Sequence, residues 1–428
     1  MAGMSRTILL GAGADRIEPP STTIARVLPE IHRFGVTRLA DLTGLDVLGI
    51  PVWSTSRPNG RSLSVTAGKG ESHEAARASA VMEAVEYDVA ERPEIKVVRT
   101  SRADLVRSLG TSEAALQFDG LQRCSLGMLS EEAVIDWVEG LDLSNGRPIW
   151  APWRLVTLDQ RVDGRAEPFA DAFHVGSNGL ASGNSRAEAI FHALCECVEE
   201  DAIALWRLGG EGGLSAVRPE EFGDITVDDL VGRIRAAAAV LRLFDVTAPD
   251  LAVPAYLAVI GEASTSCGGS PIFAGLTLGG YGCHPDPRRA VVRAITEAAQ
   301  ARLVTIAGAR DDLTRKSFAW QQGPAAAALR KLLEAPETRS PRSVDVGFCT
   351  SGSIEERTTW VVSRLADVGL GPVVVVPLET AASRSLGVFV VRVIVRGIEA
   401  DPTAGARQIG ARALKSMLVG AGRATEVE

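Results

Sequence analysis

Glutamates recur at a fixed spacing in three segments of the chain, each behind a residue that caps helices well. Counting from Ser72, Ser185 and Asp286, a glutamate stands eleven positions on, and a glutamate or glutamine stands three further. These pairs are Glu83 and Glu86, Glu196 and Glu199, and Glu297 and Gln300. Residues three apart lie on one face of a helix, so each pair presents its side-chain oxygens together. Carboxylates repeated on several helices predict a cation site.

Magnesium is the cation that such a site favours. It takes oxygen ligands and is usually held by a few carboxylates together with substrate phosphates. The five histidines are unclustered along the chain, which disfavours zinc or non-haem iron. The alternative is that the glutamates line solvated helix faces or form salt bridges with Arg77, Arg186 and Arg293. Agreement in register across three segments favours the metal site.

Groups that could bind phosphate accompany these glutamates. Lys69 lies in a predicted turn, Gly68-Lys69-Gly70, just before the first helix, where a turn and a helix N-terminus attract anions. Arg293 stands one turn before the glutamate of the third helix, and Asn184 precedes the cap of the second. A solvated role is the alternative for each. The chain has no Rossmann fingerprint, P-loop or Gly-x-Ser-x-Gly elbow, so ATP would need another kind of site.

The elements that must position these residues are helices and short strands. Helices are predicted over 72–90, 186–207 and 287–305, and alanines coincide in all three at two further positions. Those alanines are Ala76, Ala189 and Ala290, then Ala80, Ala193 and Ala294. The coincidences predict an internal repeat. Strands are predicted over 62–66, 133–138, 149–150, 273–278, 372–378 and 387–395, with a hairpin turn at 144–146. Without a strict βαβ rhythm, the order favours an α+β fold.

The composition limits the classes of protein to which the chain can belong. The 428 residues are 46% hydrophobic and 23% charged, which is typical of a globular protein. A net charge of −8 argues against nucleic-acid and anionic-membrane partners. Six cysteines without a CxxC pair predict buried thiols, and no apolar run is long enough to span a membrane, which favours the cytoplasm. We predict a tail over 1–20, one catalytic domain over 21–400 and a polar tail over 401–428.

Three segments, 68–86, 177–201 and 293–303, together resemble the YcaO family. The run Ser177-Asn178-Gly179-Leu180-Ala181-Ser182-Gly183, followed by spaced glutamates, is the most specific of them, and the likeness extends from about residue 35 to about residue 398. The resemblance implies an internally repeated α+β fold built around an ATP and magnesium site.

The same resemblance implies roles for individual residues. The magnesium ligands it implies are Glu83, Glu86, Glu196 and Glu199. The nucleotide contacts it implies are Lys69, Ser79, Asn184 and Arg293, with Glu188 and Glu297 close by. Glu83, Glu196 and Arg293 would then be catalytic. The chain departs from the family pattern at Tyr87 and Glu200, where arginine is common, so a phosphate contact is either missing or supplied elsewhere.

The activity implied is phosphorylation of a peptide-backbone amide oxygen by ATP after a nucleophile attacks the amide. A neighbouring Cys, Ser or Thr gives an azoline in a ribosomal peptide pathway, and external sulfide gives a thioamide. Azoline-forming members of the family typically end in a proline-rich tail, whereas no proline follows Pro402 in this sequence. Residues 57–70 resemble the same stretch in members that work with a TfuA partner. Both features favour thioamide formation with a TfuA-like protein, and the family resemblance implies a homodimer. An azoline-forming cyclodehydratase and a non-catalytic adaptor are the alternatives.

Overall fold

The computed structural model describes residues 15–121, 129–161, 169, 172–174, 176–209, 215–262, 276–315, 318, 324–342, 352–400 and 409–425. Helices and mainly antiparallel sheets mix in it, which confirms the α+β prediction. The chain divides into two compact units. The first unit comprises Met1–Ala84, Gly213–Thr247 and Val253–Gly352, and the second comprises Val85–Gly212, Ala248–Ala252 and Ser353–Glu428. None of the helices in these described ranges is long and apolar enough to cross a membrane.

The first unit contains two sheets. A three-stranded sheet joins β1 (Arg38–Asp41), β2 (Val52–Ser56) and β3 (Val65–Lys69) in that order. A five-stranded sheet has the order β11-β10-β9-β8-β12. Its strands are β8 (Ala216–Val217), β9 (Ala239–Asp245), β10 (Ala255–Glu262), β11 (Leu278–Cys283) and β12 (Glu337–Arg339). The helices of this unit are α1 (Pro20–Val27), the first part of α2 (His73–Glu91), α5 (Ile225–Ala236), α6 (Pro287–Ala307) and α7 (Pro324–Leu333). Its core packs α5 and α6 against β9 and β10.

The second unit contains one six-stranded sheet, ordered β4-β5-β13-β14-β7, with β6 paired to β5. Its strands are β4 (Val97–Ser101), β5 (Val134–Asp142), β6 (Pro148–Pro152), β7 (Leu180–Gly183), β13 (Val373–Pro377) and β14 (Phe389–Val395). Its helices are α3 (Arg102–Leu109), α4 (Arg186–Leu208), α8 (Ile354–Asp367), α9 (Ala381–Ser385) and α10 (Ala411–Thr425). The predicted β5–β6 hairpin is confirmed. Valine-rich β13 and β14 pair with each other, as β-branched residues favour.

The three predicted capping residues all cap their helices. Oxygens of Ser72, Ser185 and Asp286 accept hydrogen bonds from first-turn backbone N–H groups of α2, α4 and α6, at 3.1, 3.1 and 2.9 Å. Pro287 at the first position of α6 and left-handed Gly308 just beyond its end add the usual start and stop signals. All three predicted helices are confirmed to within two residues.

The internal repeat is visible as three strand–helix pairs, β3–α2, β7–α4 and β11–α6. The six coincident alanines are fully buried in all three helices. A glycine of each strand lies against its helix so closely that an added Cβ would meet helix backbone. That Cβ would lie 1.9 Å from the nitrogen of Ala80 for Gly68, 2.7 Å from that of Ala189 for Gly183, and 2.5 Å from that of Ala294 for Gly282. Alanine on the helix and glycine on the strand therefore serve one packing geometry, repeated three times.

Two predicted strand boundaries are wrong. The strand predicted over 62–66 runs over Val65–Lys69, so Lys69 ends a strand instead of lying in a turn. The strand predicted over 273–278 begins at Leu278 and continues to Cys283, and 273–275 lie outside the described residues. The segment predicted as a polar C-terminal tail contains α10, whose Arg412 forms an ion pair with fully buried Asp201 of α4. Strand limits depend on partner strands, which local sequence does not specify.

Candidate functional site

The first unit gathers a group of charged side chains around the end of β3. The ammonium of Lys69 forms an ion pair with the Glu297 carboxylate on α6, although the two residues are far apart in sequence. The other carboxylate oxygen of Glu297 accepts a hydrogen bond from the backbone N–H of Tyr281, at 3.1 Å. The backbone N–H of Lys69 donates to Oγ of Ser79 on α2, at 3.3 Å. Three residues predicted as nucleotide contacts are thus adjacent.

Glu83 lies on α2 within this group. Burial removes water from its carboxyl and raises the pKa to about 7, against an ordinary value of 4.5. The positive charges of Lys69 and Arg310 and a hydrogen bond from the Ala67 backbone act in the opposite direction, and the negative charge of Glu297 adds to the rise. A carboxyl held in this way is poorly stabilised as an anion by the protein alone. A bound cation would favour its ionised form.

Because the pKa of Glu83 is raised, we expect the stability of the protein in magnesium-free buffer to depend on pH. Between pH 4.5 and about 7 the folded protein keeps a proton that the unfolded chain releases, so the free energy of unfolding falls as pH rises through this window. We expect a loss of up to about 3 kcal/mol between pH 4.5 and neutrality, reduced by the partial exposure of the side chain. Glu83→Gln should flatten this dependence in urea unfolding at a series of pH values. An unchanged slope in the variant would contradict the assignment.

The second unit carries the other predicted magnesium ligands. Glu196 and Glu199 lie on α4, one turn apart, and the Glu196 carboxylate lies 3.6 Å from Nε2 of His192. Glu86 lies three residues beyond Glu83 on α2. Glu86 and Glu196 both act electrostatically on one buried cation, Arg392 of β14. Negative charges on two different helices therefore act on the same guanidinium.

Arg392 is a buried cation that the sequence reasoning did not single out. It stands opposite Leu180 in the β14–β7 ladder and is only 2% exposed. Its Nε donates to the carbonyl of Val156 at 3.3 Å and its Nη1 to that of Asn178 at 2.8 Å. Burial lowers its pKa to about 10, which leaves it charged at neutral pH. The sequence signal that could have identified it is a single arginine within an otherwise apolar strand.

The start of α4 positions two more predicted contacts. Nδ2 of Asn184 donates to the Glu188 carboxylate at 3.3 Å, and Glu188 is buried. The backbone N–H of Glu188 bonds to the capping hydroxyl of Ser185. Arg293, predicted as both catalytic and nucleotide-binding, lies on α6, partly exposed, with its Cβ directly over Gly282 of β11. Each of these residues is held by a strand–helix pair of the repeat.

Magnesium suits the donors that are present. Within the described part of the chain, no three His, Cys, Asp or Glu side chains are gathered closely enough to hold a metal ion. Magnesium, however, is usually bound by one or two carboxylates with water and substrate phosphates completing the shell. The half-buried carboxyl of Glu83, whose ionised form is disfavoured, fits that role. Cys195, Cys197 and Cys283 are buried free thiols, and Cys124, Cys267 and Cys349 lie outside the described residues.

Comparison with known proteins agrees with this fold. A family model described as YcaO cyclodehydratase, binding ATP and Mg²⁺, matches residues 67–399. The chain therefore belongs to the YcaO family, and its cofactors are ATP and Mg²⁺. A protein of Rhizobium leguminosarum bv. trifolii, named as an uncharacterized protein in the tfuA 3′ region, is 40% identical over 407 residues, which are 94% of this chain and 93% of that protein.

Two solved structures share the fold. The structure of YcaO from Methanopyrus kandleri bound with AMPPCP and Mg²⁺ is 25% identical, with a TM-score of 0.61 over 90% of this chain and 92% of that one. A heterocyclase in complex with substrate and cofactor is 22% identical, with a TM-score of 0.73 over 94% of this chain. The chain spans 54% of the length of that heterocyclase, so this likeness shows the fold alone.

Proposed function

We propose that this YcaO protein converts a backbone amide of a peptide or protein into a thioamide, using ATP, Mg²⁺ and a sulfur donor, together with a TfuA-like partner. The observation that carries the proposal is the 40% identity, over nearly the whole of both chains, to a protein encoded beside tfuA. Family membership supports the use of ATP and Mg²⁺. The tfuA-region name of that relative is what favours a TfuA-like partner and, with it, a nucleophile from outside the peptide.

The proposed reaction balances without an oxidant or reductant. Hydrogen sulfide supplies the sulfur that bonds to the amide carbon, and the carbon–oxygen bond of the amide breaks. The departing oxygen leaves within inorganic phosphate, so one amide, one ATP and one hydrogen sulfide give one thioamide, ADP and phosphate. When bound, ATP supplies the phosphoryl group that makes the amide oxygen a good leaving group.

The residues of this chain contribute positioning and charge neutralisation. We propose that Glu83, Glu86, Glu196 and Glu199 hold magnesium. The ammonium of Lys69, already paired with Glu297, and the guanidinium of Arg293 would offset phosphate charge near β3 and α6. Ser79 and Asn184 would orient the nucleotide, with Glu188 fixing the Asn184 amide. Within each strand–helix pair of the repeat, buried alanine and glycine contacts hold the helix to its strand.

Mass spectrometry of the proteome tests the proposal. We would delete the gene in the organism that encodes it and compare tryptic peptides before and after deletion. A peptide whose mass carries an oxygen-to-sulfur exchange should disappear, return with the wild-type gene, and stay absent with Glu83→Gln. A peptide that has lost water would instead support the azoline-forming cyclodehydratase, which the family description favours. No changed peptide would support the non-catalytic adaptor and contradict the proposal.

A further inference from the structure

Gln300 of α6 departs from the pattern of the repeated carboxylates. It carries an amide at the position where α2 and α4 carry Glu86 and Glu199. An ionised carboxylate only accepts hydrogen bonds, whereas an amide also donates them. In the folded chain, Nε2 of Gln300 donates to the backbone carbonyl of Ala67 in β3. The third helix thus directs a hydrogen-bond donor at the strand of the first strand–helix pair.

β3 is the last strand of its sheet, so the backbone groups that face away from β2 need partners from other elements. Helix side chains supply these partners. The N–H of Ala67 donates to the carboxyl of Glu83 on α2, and the carbonyl of Ala67 accepts from Gln300 on α6. Two residues on, the N–H of Lys69 donates to Oγ of Ser79 at 3.3 Å. The edge of β3 is therefore fixed by α2 and α6 together.

The hydrogen bond from Ala67 to Glu83 belongs to the internal repeat. In the third strand–helix pair, the N–H of Tyr281 donates to the carboxylate of Glu297 at 3.1 Å. Ala67 and Tyr281 each stand five residues before the cap of their helix, and Glu83 and Glu297 each stand eleven residues after it. The same strand amide thus holds the first glutamate in both pairs. Gln300 adds a contact that runs from the third pair to the first.

We propose that Gln300 is a positioning residue for Glu83. It holds the edge of β3 through the carbonyl of Ala67, and the N–H of the same Ala67 then fixes the carboxyl of Glu83. At this position the third helix aligns a magnesium ligand of the first helix instead of supplying a ligand itself. The inference rests on the proposed function only in taking Glu83 as a magnesium ligand.

Calorimetric titration of Mg²⁺ at a fixed ATP concentration and pH 8 tests this role. Gln300→Leu keeps a similar size and removes the donor. It should raise the Mg²⁺ concentration that half-saturates binding by about tenfold or more, as the loss of an outer partner of a metal ligand does. Gln300→Glu restores the carboxylate of the other two helices but has no proton to donate to Ala67, so it should raise that concentration at least as much. A residue that only stabilised the fold would reduce the folded fraction and leave the concentration unchanged.

Amide hydrogen exchange without ATP or Mg²⁺ gives a second readout. The N–H of Ala67 should exchange several-fold faster in Gln300→Leu than in the wild type, because the edge of β3 is loosened. Gln117→Leu is the matched control, the same change at an exposed glutamine of the second unit. It should leave both the Mg²⁺ requirement and the exchange of Ala67 as they are in the wild type.

A wild-type Mg²⁺ requirement in Gln300→Leu, or a lower requirement in Gln300→Glu, would overturn the inference. Gln300→Glu decides it should Gln300→Leu fail to fold. Loss of magnesium-dependent binding in Glu83→Gln, together with wild-type behaviour of both Gln300 variants, would refute the positioning role and leave the proposed function standing. Full magnesium-dependent binding in Glu83→Gln would instead refute the ligand role on which the inference rests.

Discussion

Glutamine in place of Glu83 or Glu196 is expected to abolish magnesium-dependent ATP binding and to lower ATP-dependent turnover by about a hundredfold or more. Replacing even an outer partner of a metal ligand costs about 10- to 100-fold, so removing a direct ligand oxygen should cost at least as much. Burial strengthens this expectation at Glu83, because it already disfavours the ionised carboxylate and makes ionisation depend on a cation. Glutamine keeps the shape of the side chain and removes its charge.

Calorimetric titration of ATP with and without Mg²⁺ measures this effect. Glu74→Gln is the matched control, because Glu74 is an exposed residue of the same helix, one residue after its start. It should leave binding unchanged. Full magnesium-dependent binding in Glu83→Gln would remove that residue from the ligand set. Absence of binding in the wild type, both alone and with a TfuA-like protein added, would count against an enzyme and favour the adaptor.

Alanine in place of Gly68 is expected to destabilise the first unit by about 4 kcal/mol or more, a loss large enough to prevent folding in many proteins. The added Cβ would lie 1.9 Å from the backbone nitrogen of Ala80 and 2.5 Å from the carbonyl oxygen of Ala76. Both atoms belong to helix backbone and cannot move without separating α2 from β3. The group of charged side chains around the end of β3 would be displaced at the same time, because β3 ends at Lys69.

Denaturant unfolding measures this loss, with Gly44→Ala as the control. Gly44 lies in the same unit, and a Cβ there would meet nothing within 4 Å, so the control should stay within about 0.5 kcal/mol of the wild type. Gly282→Ala should behave as Gly68→Ala does, because its Cβ would lie 2.1 Å from the carbonyl oxygen of Ala290. Equal stability of Gly68→Ala and the control would contradict the proposed packing of the repeat.

Much of the helical framework could be predicted because its signals are local. A capping hydroxyl or carboxylate acts on backbone groups two or three residues away, so Ser72, Ser185 and Asp286 marked the helix starts correctly. Alanines and glutamates also stand at the same positions in all three helices, so the repeat can be recognised from the sequence. One packing geometry, used three times, demands small residues at the same positions each time.

By itself, then, the sequence predicted the three helices of the repeat and the family, and it singled out the carboxylates that we propose hold a cation. Only the tertiary structure decided that Lys69 ends a strand and pairs with Glu297, and that Gln300 bonds to the backbone of Ala67. It alone placed Arg392 among carboxylates of two other elements. Those contacts join residues far apart in the chain through strand pairing and helix packing. Their energy depends on burial and on the charges that folding brings near, neither of which any short stretch of sequence contains.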